Sequence, residues 1–432
     1  MRFRLVSKTS LQAIFSIVIG ITHPEAFGLA FDQDEPPGII TDAIFKPYIH
    51  TVLLKSADWE FSMPVISIGT HQQLEFRFDD LSGERRTFGY TLVHCSADWL
   101  KSPLSSGEYL SGYGQGTLHE SFPSFNTSYS YTHYRLLFPN DDCAPLISGN
   151  YALIVYDENN PEEPVITRRF YVTENSVQII AEIKQPGYGT QKETGQQVLF
   201  NVNYNSTDIR DPLHEITAIV VQNNRSDRQL VMHKPYSIQP GRLEYTDPEM
   251  GIFNAGNEFR SLDIKNTRYQ TENVASIEFQ NPYYHVLMKP DEGRANKPYF
   301  TKTDLNGSFF IDMEKSTDRH TEADYVFVHF NLKLPVLYTA DKVFVSGALT
   351  QWTNNELNRM KFNEETGRFE LTLLLKQGLY DYCFSKQDYD NIINEYDVEG
   401  SFYETENDYA VLIYFHDPYQ RCDRLMGYHS IK

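Results

Sequence analysis

The sequence predicts an all-β protein of tandem immunoglobulin-like β-sandwich domains, and three observations carry that prediction. Apolar and charged residues alternate with a period of two, as in Leu74-Glu75-Phe76-Arg77-Phe78-Asp79, which sets Leu74, Phe76 and Phe78 on one face of a strand. No stretch shows a convincing 3.6-residue period. Tyr, Phe and Trp make up 14% of the 432 residues, and aromatic side chains favour pleated surfaces.

In chain order, residues 1–30 read as a secretory signal peptide. Arg2, Arg4 and Lys8 precede the apolar run Leu11 to Ile21, and the small residues Ala26, Gly28 and Ala30 follow it. Cleavage is expected after Ala30, with Ala26 as the alternative. The apolar run falls short of the ~20 residues a membrane-spanning helix requires, and no other stretch comes closer. The expected mature chain keeps 35 basic against 57 acidic residues, a net charge of −22. Such a chain repels polyanions, which argues against nucleic acid as a partner.

Three domains follow from the length and from breaks in patterning: 31–175, 176–320 and 321–432. The first ends where Phe170-Tyr171-Val172 gives way to Thr173-Glu174-Asn175. Within it, Tyr151 to Tyr156 reads as a central strand covered on both faces. In the second, Val198, Phe200, Val202 and Tyr204 alternate, and residues 224–275 are rich in loop formers. The polar stretch 314–324 separates it from the third, where Phe369, Leu371, Leu373 and Leu375 again keep the period of two. Four Cys (Cys95, Cys143, Cys383, Cys422) allow three pairings, and proximity favours Cys383 with Cys422. That bridge would contribute about 4 kcal/mol.

The chemistry-bearing candidates have better structural readings. His94-Cys95-Ser96-Ala97-Asp98 lacks the paired short spacings of a zinc site, and His94 shares a strand face with Tyr90 and Leu92, as a core histidine would. Asp79 and Asp80 are neighbours that point to opposite faces of a strand, so they cannot act as a catalytic pair; a turn after the strand accounts for them. Gly107, Gly112, Gly114 and Gly116 form a glycine-rich loop, but neither a helix signal nor a Lys follows. No G-x-S-x-G occurs. The sequons at Asn126, Asn205 and Asn306 fit chance. No enzymatic activity, cofactor or small-molecule substrate is expected.

An ordered set of short segments resembles one family. In the first domain it comprises His94-Cys95-Ser96-Ala97-Asp98-Trp99, Glu108-Tyr109-Leu110-Ser111-Gly112-Tyr113, Tyr131-Thr132-His133-Tyr134 and Ile147-Ser148-Gly149-Asn150-Tyr151. Val221-Gln222-Asn223 and Gly256-Asn257-Glu258-Phe259-Arg260 follow. Leu375-Lys376-Gln377-Gly378-Leu379-Tyr380, Glu399 to Asn407 with Glu404, Thr405 and Glu406, and Asp423-Arg424-Leu425-Met426-Gly427-Tyr428 complete it. Together they resemble the plug protein family of the Bacteroidetes type IX secretion system. The resemblance implies a periplasmic protein, peripheral to the outer membrane, that occludes the inner mouth of the translocon barrel; the quoted residues would serve structure or partner binding.

The third domain is also similar to early-set, glycogen-binding modules, through Lys342 to Ala348, Trp352, Gly367-Arg368-Phe369 and Gly378 to Tyr382. On that alternative, an exported carbohydrate-binding protein would use Trp352 as a sugar platform and Asn354 beside it.

Overall fold

Alternating side chains become strands almost everywhere in the computed structural model, which describes residues 38–204, 209–335, 341–388 and 392–432. The expected signal peptide, its cleavage site and the Asn205 sequon lie outside the described residues. Among these residues the α-helices are single turns of four: Ser106–Tyr109, Pro212–Glu215, Arg319–Glu322 and Tyr396–Glu399. No described helix is long and apolar enough to cross a membrane.

The first block is a sandwich. One sheet runs Ile49–Ser56, Leu74–Asp80, Thr132–Phe138, Glu120–Pro123, and it faces Phe88–Cys95, Gly149–Asp157 and Asn160–Thr173. The alternation noted above sends Phe76 and Phe78 into the core, where Phe78 stacks on Tyr134 at 5.0 Å between centroids. From the facing sheet come Tyr90, Tyr151 and Phe170. Gly149–Asp157 lies between two partners, as its continuous apolar run predicts.

In the second block Gln178–Lys184, Gly195–Asn203, Arg242–Tyr245 and Ser237–Gln239 pack on Ile216–Gln222 and Gln229–Met232. The sheet of the latter is completed from the far end of the chain. Tyr409–Asp417 pairs with Ile216–Gln222 over seven residues, and Cys422–Ile431 pairs with Tyr409–Asp417. Thr173 and Leu425 then join this sheet to that of the first block, making one ten-stranded sheet.

Strand pairing therefore corrects the boundary expected at 320/321. The polar stretch 314–324 lies inside the third block, since Tyr283–Met288 pairs in parallel with Tyr325–Lys333 across it. Arg260–Asp263 likewise pairs with Gly378–Gln387. One core, from Leu262 to Val398, serves this block. A polar connection looks the same in sequence whether it ends a domain or crosses from one strand to another, so composition misplaced the division.

Two further expectations change. All four cysteines are free and buried: Cys422 packs in the first core, and Cys383 lies beside the Arg225 and Glu395 side chains. The expected bridge is absent because the two residues end up serving different blocks. Asp79 and Asp80 do point to opposite faces, but both are buried within strand Leu74–Asp80, not in a turn after it.

Candidate functional site

The chain's polar chemistry concentrates where the blocks meet. At the joint of the first block with the C-terminal hairpin, strand Phe88–Cys95 buries His94, whose Nε2 lies 3.2 Å from the Ser148 carbonyl. Burial holds this imidazole below its ordinary pKa. Tyr151 meets it edge-on at 5.0 Å, and Tyr109 lies at 5.8 Å. Gly149 has φ +141°, and a Cβ there would stand 2.4 Å from His94 Nε2 and 2.8 Å from the Asp423 carbonyl, so only glycine fits. The Asn150 amide donates to the Ser96 carbonyl at 3.0 Å, and its Oδ1 accepts from the Tyr414 hydroxyl at 2.7 Å. Asp423 accepts from the Ala97 amide at 2.8 Å, and Arg424 donates twice to Glu174, at 2.7 and 2.8 Å. Trp99 closes the joint, edge-on to Tyr171 with Arg169 over its ring at 4.5 Å.

Gly112 and Tyr134 stand apart, inside the first block. Gly112, at φ +79°, passes close to the Asp142 carbonyl, and Tyr134 donates to the Arg86 carbonyl at 2.7 Å.

The second joint ties the middle block to the third. Gln222 donates to the Tyr409 hydroxyl at 3.0 Å, and Asn223 to Asn407 Oδ1 at 2.7 Å. Asn407 donates in turn to Gln196 Oε1 and the Ala255 carbonyl, while Thr405 donates to the Gly256 carbonyl. Arg260 binds Glu399 and reaches Asp291 at 2.6 Å. Burial alone would raise the Glu399 carboxyl, but Arg260 and Arg294 hold it at about 2. Glu258 accepts from the Tyr299 hydroxyl at 2.5 Å and from the Glu406 amide at 3.1 Å, and the Glu404 carbonyl accepts from the same hydroxyl. A water-sized polar cavity lies among Arg225, Glu395, Asn257 and Asn407.

The third joint, between the first and third blocks, was not foreseen as a contact, although the quoted segments contain Tyr131, His133, Lys376, Gln377 and Gly378. Gln377 bonds Asp324 through both backbone and side chain, and Gly378 packs against the Phe310 carbonyl where a Cβ would clash. Beside them Lys376 Nζ, 1% exposed, reaches Asp79 Oδ2 at 2.6 Å. His133 and the Tyr325 hydroxyl complete the shell of Asp79, each at 2.7 Å, and Lys376 sits 4.1 Å over the Tyr131 ring. Burial favours the neutral acid here, yet Lys376 and His133 hold Asp79 at about 2. A Lys ending the apolar run Leu373-Leu374-Leu375 was the signal in the sequence, since such a group enters a core only with a partner.

Trp352 offers no free platform for a sugar. The Arg225 guanidinium lies 3.8 Å from its ring centre, Phe259 meets it edge-on at 5.8 Å, and its edge abuts Gly307. Asn354 Oδ1 is taken by Ser346 and Ser385.

The arrangement defines a class of protein first: a β-sandwich array fused through buried polar joints. Residues 49–174 match the first domain of the type 9 secretion system plug protein. The chain is also similar to a crystal structure of a hypothetical protein from Parabacteroides merdae ATCC 43184, at 34% identity and a TM-score of 0.86 over 91% of this chain and 99% of that one. A dimeric latent PorU from Porphyromonas gingivalis aligns at 10% identity over 89% of this chain and 34% of its own, with a TM-score of 0.13 that carries no argument. No curated protein matches. The stretch 49–174 thus carries the first domain of the type 9 secretion system plug protein family, which marks the chain as related to that secretion system.

Proposed function

We propose that this chain is a periplasmic plug, bound to the outer-membrane type IX translocon barrel and occluding its periplasmic opening by bulk and without catalysis. The observation that carries the reading is the placement of the family's residues. Many of those singled out in the sequence, among them Asn150, Asn223, Thr405, Asn407, Asp423 and Arg424, lie at the joints between sandwiches, where they help fuse three blocks into one body. A steric stopper needs that property, because it must enter and leave an opening as a unit. Its contact with the barrel must be reversible, which suits a mixed polar and aromatic surface of ordinary size. The engagement of Trp352 and Asn354 within the protein disfavours the carbohydrate-binding alternative.

Deleting the gene tests the proposal. Vancomycin-sized solutes should then enter faster than in wild type, while secretion continues, and deleting the translocon barrel as well should restore the barrier. Unchanged permeability in the single deletion would reject the plug reading.

A further inference from the structure

Residues 293–308 run between strands Asp291–Glu292 and Phe309–Ile311 with no helix or strand of their own, a length at which an unstructured connection is uncommon in a compact protein. Three carboxyl groups fasten the segment, one of them its own Asp304. Glu258 takes the Tyr299 hydroxyl, Asp304 takes the amides of Phe259 and Asn306, and Asp381 takes those of Leu305 and Gly307. Phe300 stands at the outside of the segment, 78% exposed.

These carboxyls face one another, with the Arg294 charge acting on Asp304 and the Lys302 charge on Asp381, and no cation acting on Glu258. Arg294 donates to the backbone carbonyl of Glu258 and spends its Nε on Glu399, while Lys302 donates to Ser261. The remaining charged neighbour of Glu258 is Glu406. Glu258 is 2% exposed, and its Oε2 has no hydrogen-bond donor although the Asp304 carboxyl stands beside it. A proton on that oxygen would supply the missing donor toward Asp304 and remove one of two adjacent negative charges.

We propose that residues 293–308 form a proton-held strap, closed when Glu258 and Asp381 are protonated and loosened when they ionise beside Asp304. Burial, followed by the Asp304 charge at Asp381, lifts both groups to about 7. The sign follows from linkage. A carboxyl released from the strap ionises near pH 4, whereas in the closed strap it holds its proton to about pH 7. Closure is therefore strongest at acid pH and weakens as the pH rises from about 4 to 7. The inference is independent of the plug reading, because it concerns the isolated protein.

Hydrogen exchange on the full mature chain, corrected for the intrinsic pH dependence of the rates, tests it. Protection of residues 299–307 should fall about tenfold or more between pH 5 and pH 8, each unit of pKa difference being worth tenfold in the opening equilibrium. Residues 74–80, held by the Asp79–Lys376 pair, serve as the control and should change by no more than the global stability does. In the Glu258→Gln/Asp381→Asn double variant the fall should vanish; should that variant not fold, Asp381→Asn alone should reduce it. Equal protection of the wild-type strap at both pH values, or a fall that persists undiminished in the variants, overturns the proposal.

Discussion

The joint around Asp79 and the joint around Glu258 are built from the same material, carboxylates sealed between sandwiches, and they titrate in opposite directions. Asp79 is fully buried yet held at about 2, because Lys376 and His133 lie within 2.7 Å. Glu258 is nearly as buried and rises to about 7, because burial raises it and its charged neighbours, Asp304 and Glu406, are both acidic. Burial alone fixes the direction only until a cation comes within hydrogen-bonding distance. One joint is thus a permanent clamp and the other a titratable one.

Lys376→Met breaks the contrast most severely. It leaves Asp79 charged, buried and short of a cation, and should cost about 3–5 kcal/mol in urea unfolding; adding Asp79→Leu should recover part of the loss. Gly149→Ala attacks the joint with the C-terminal hairpin, where φ +141° and the close His94 ring leave no room. It should cost about 1–3 kcal/mol by the same measurement.

A pH series sharpens the comparison. Asp79 and Glu399 have depressed folded values, so the stability they contribute is present above pH 4 and disappears as the pH falls toward 2. Asp381 and Glu258 have raised values, so they lose stability as the pH rises from about 4 to 7. The urea midpoint should show both slopes, and Asp381→Asn should flatten only the upper one, an effect on the order of 1 kcal/mol.

How much of this was legible in the sequence depends on range. Local alternation placed Phe76, Phe78, Val198 and Phe369 correctly, because a period of two is a property of neighbours. That Tyr409–Asp417 returns to complete the sheet of Ile216–Gln222 was not legible, since the strand carries the same pattern whichever block receives it. The site behaved in the same way. Gln222, Asn223, Thr405 and Asn407 were singled out in separate segments, but the hydrogen bond of Asn223 with Asn407 spans 184 residues of chain and follows from topology alone. Asp79 and Lys376 were visible in separate places, one at the end of an alternating strand and the other in a quoted family segment, with nothing to pair them.

The smallest expected effect concerns sulfur. Neither titrating joint depends on a covalent link, because Cys383 and Cys422 are free and serve different blocks. Burial also raises both thiols above their ordinary value, which leaves little thiolate to react. Reductant should therefore leave the urea midpoint unchanged, and thiol titration of the unfolded chain without reductant should find all four cysteines. A count of two would mean that a bridge forms after all. The stability of whichever joint it spans would then include about 4 kcal/mol of chain entropy for a loop of some 40 residues, beyond the hydrogen bonds and ion pairs that hold it here.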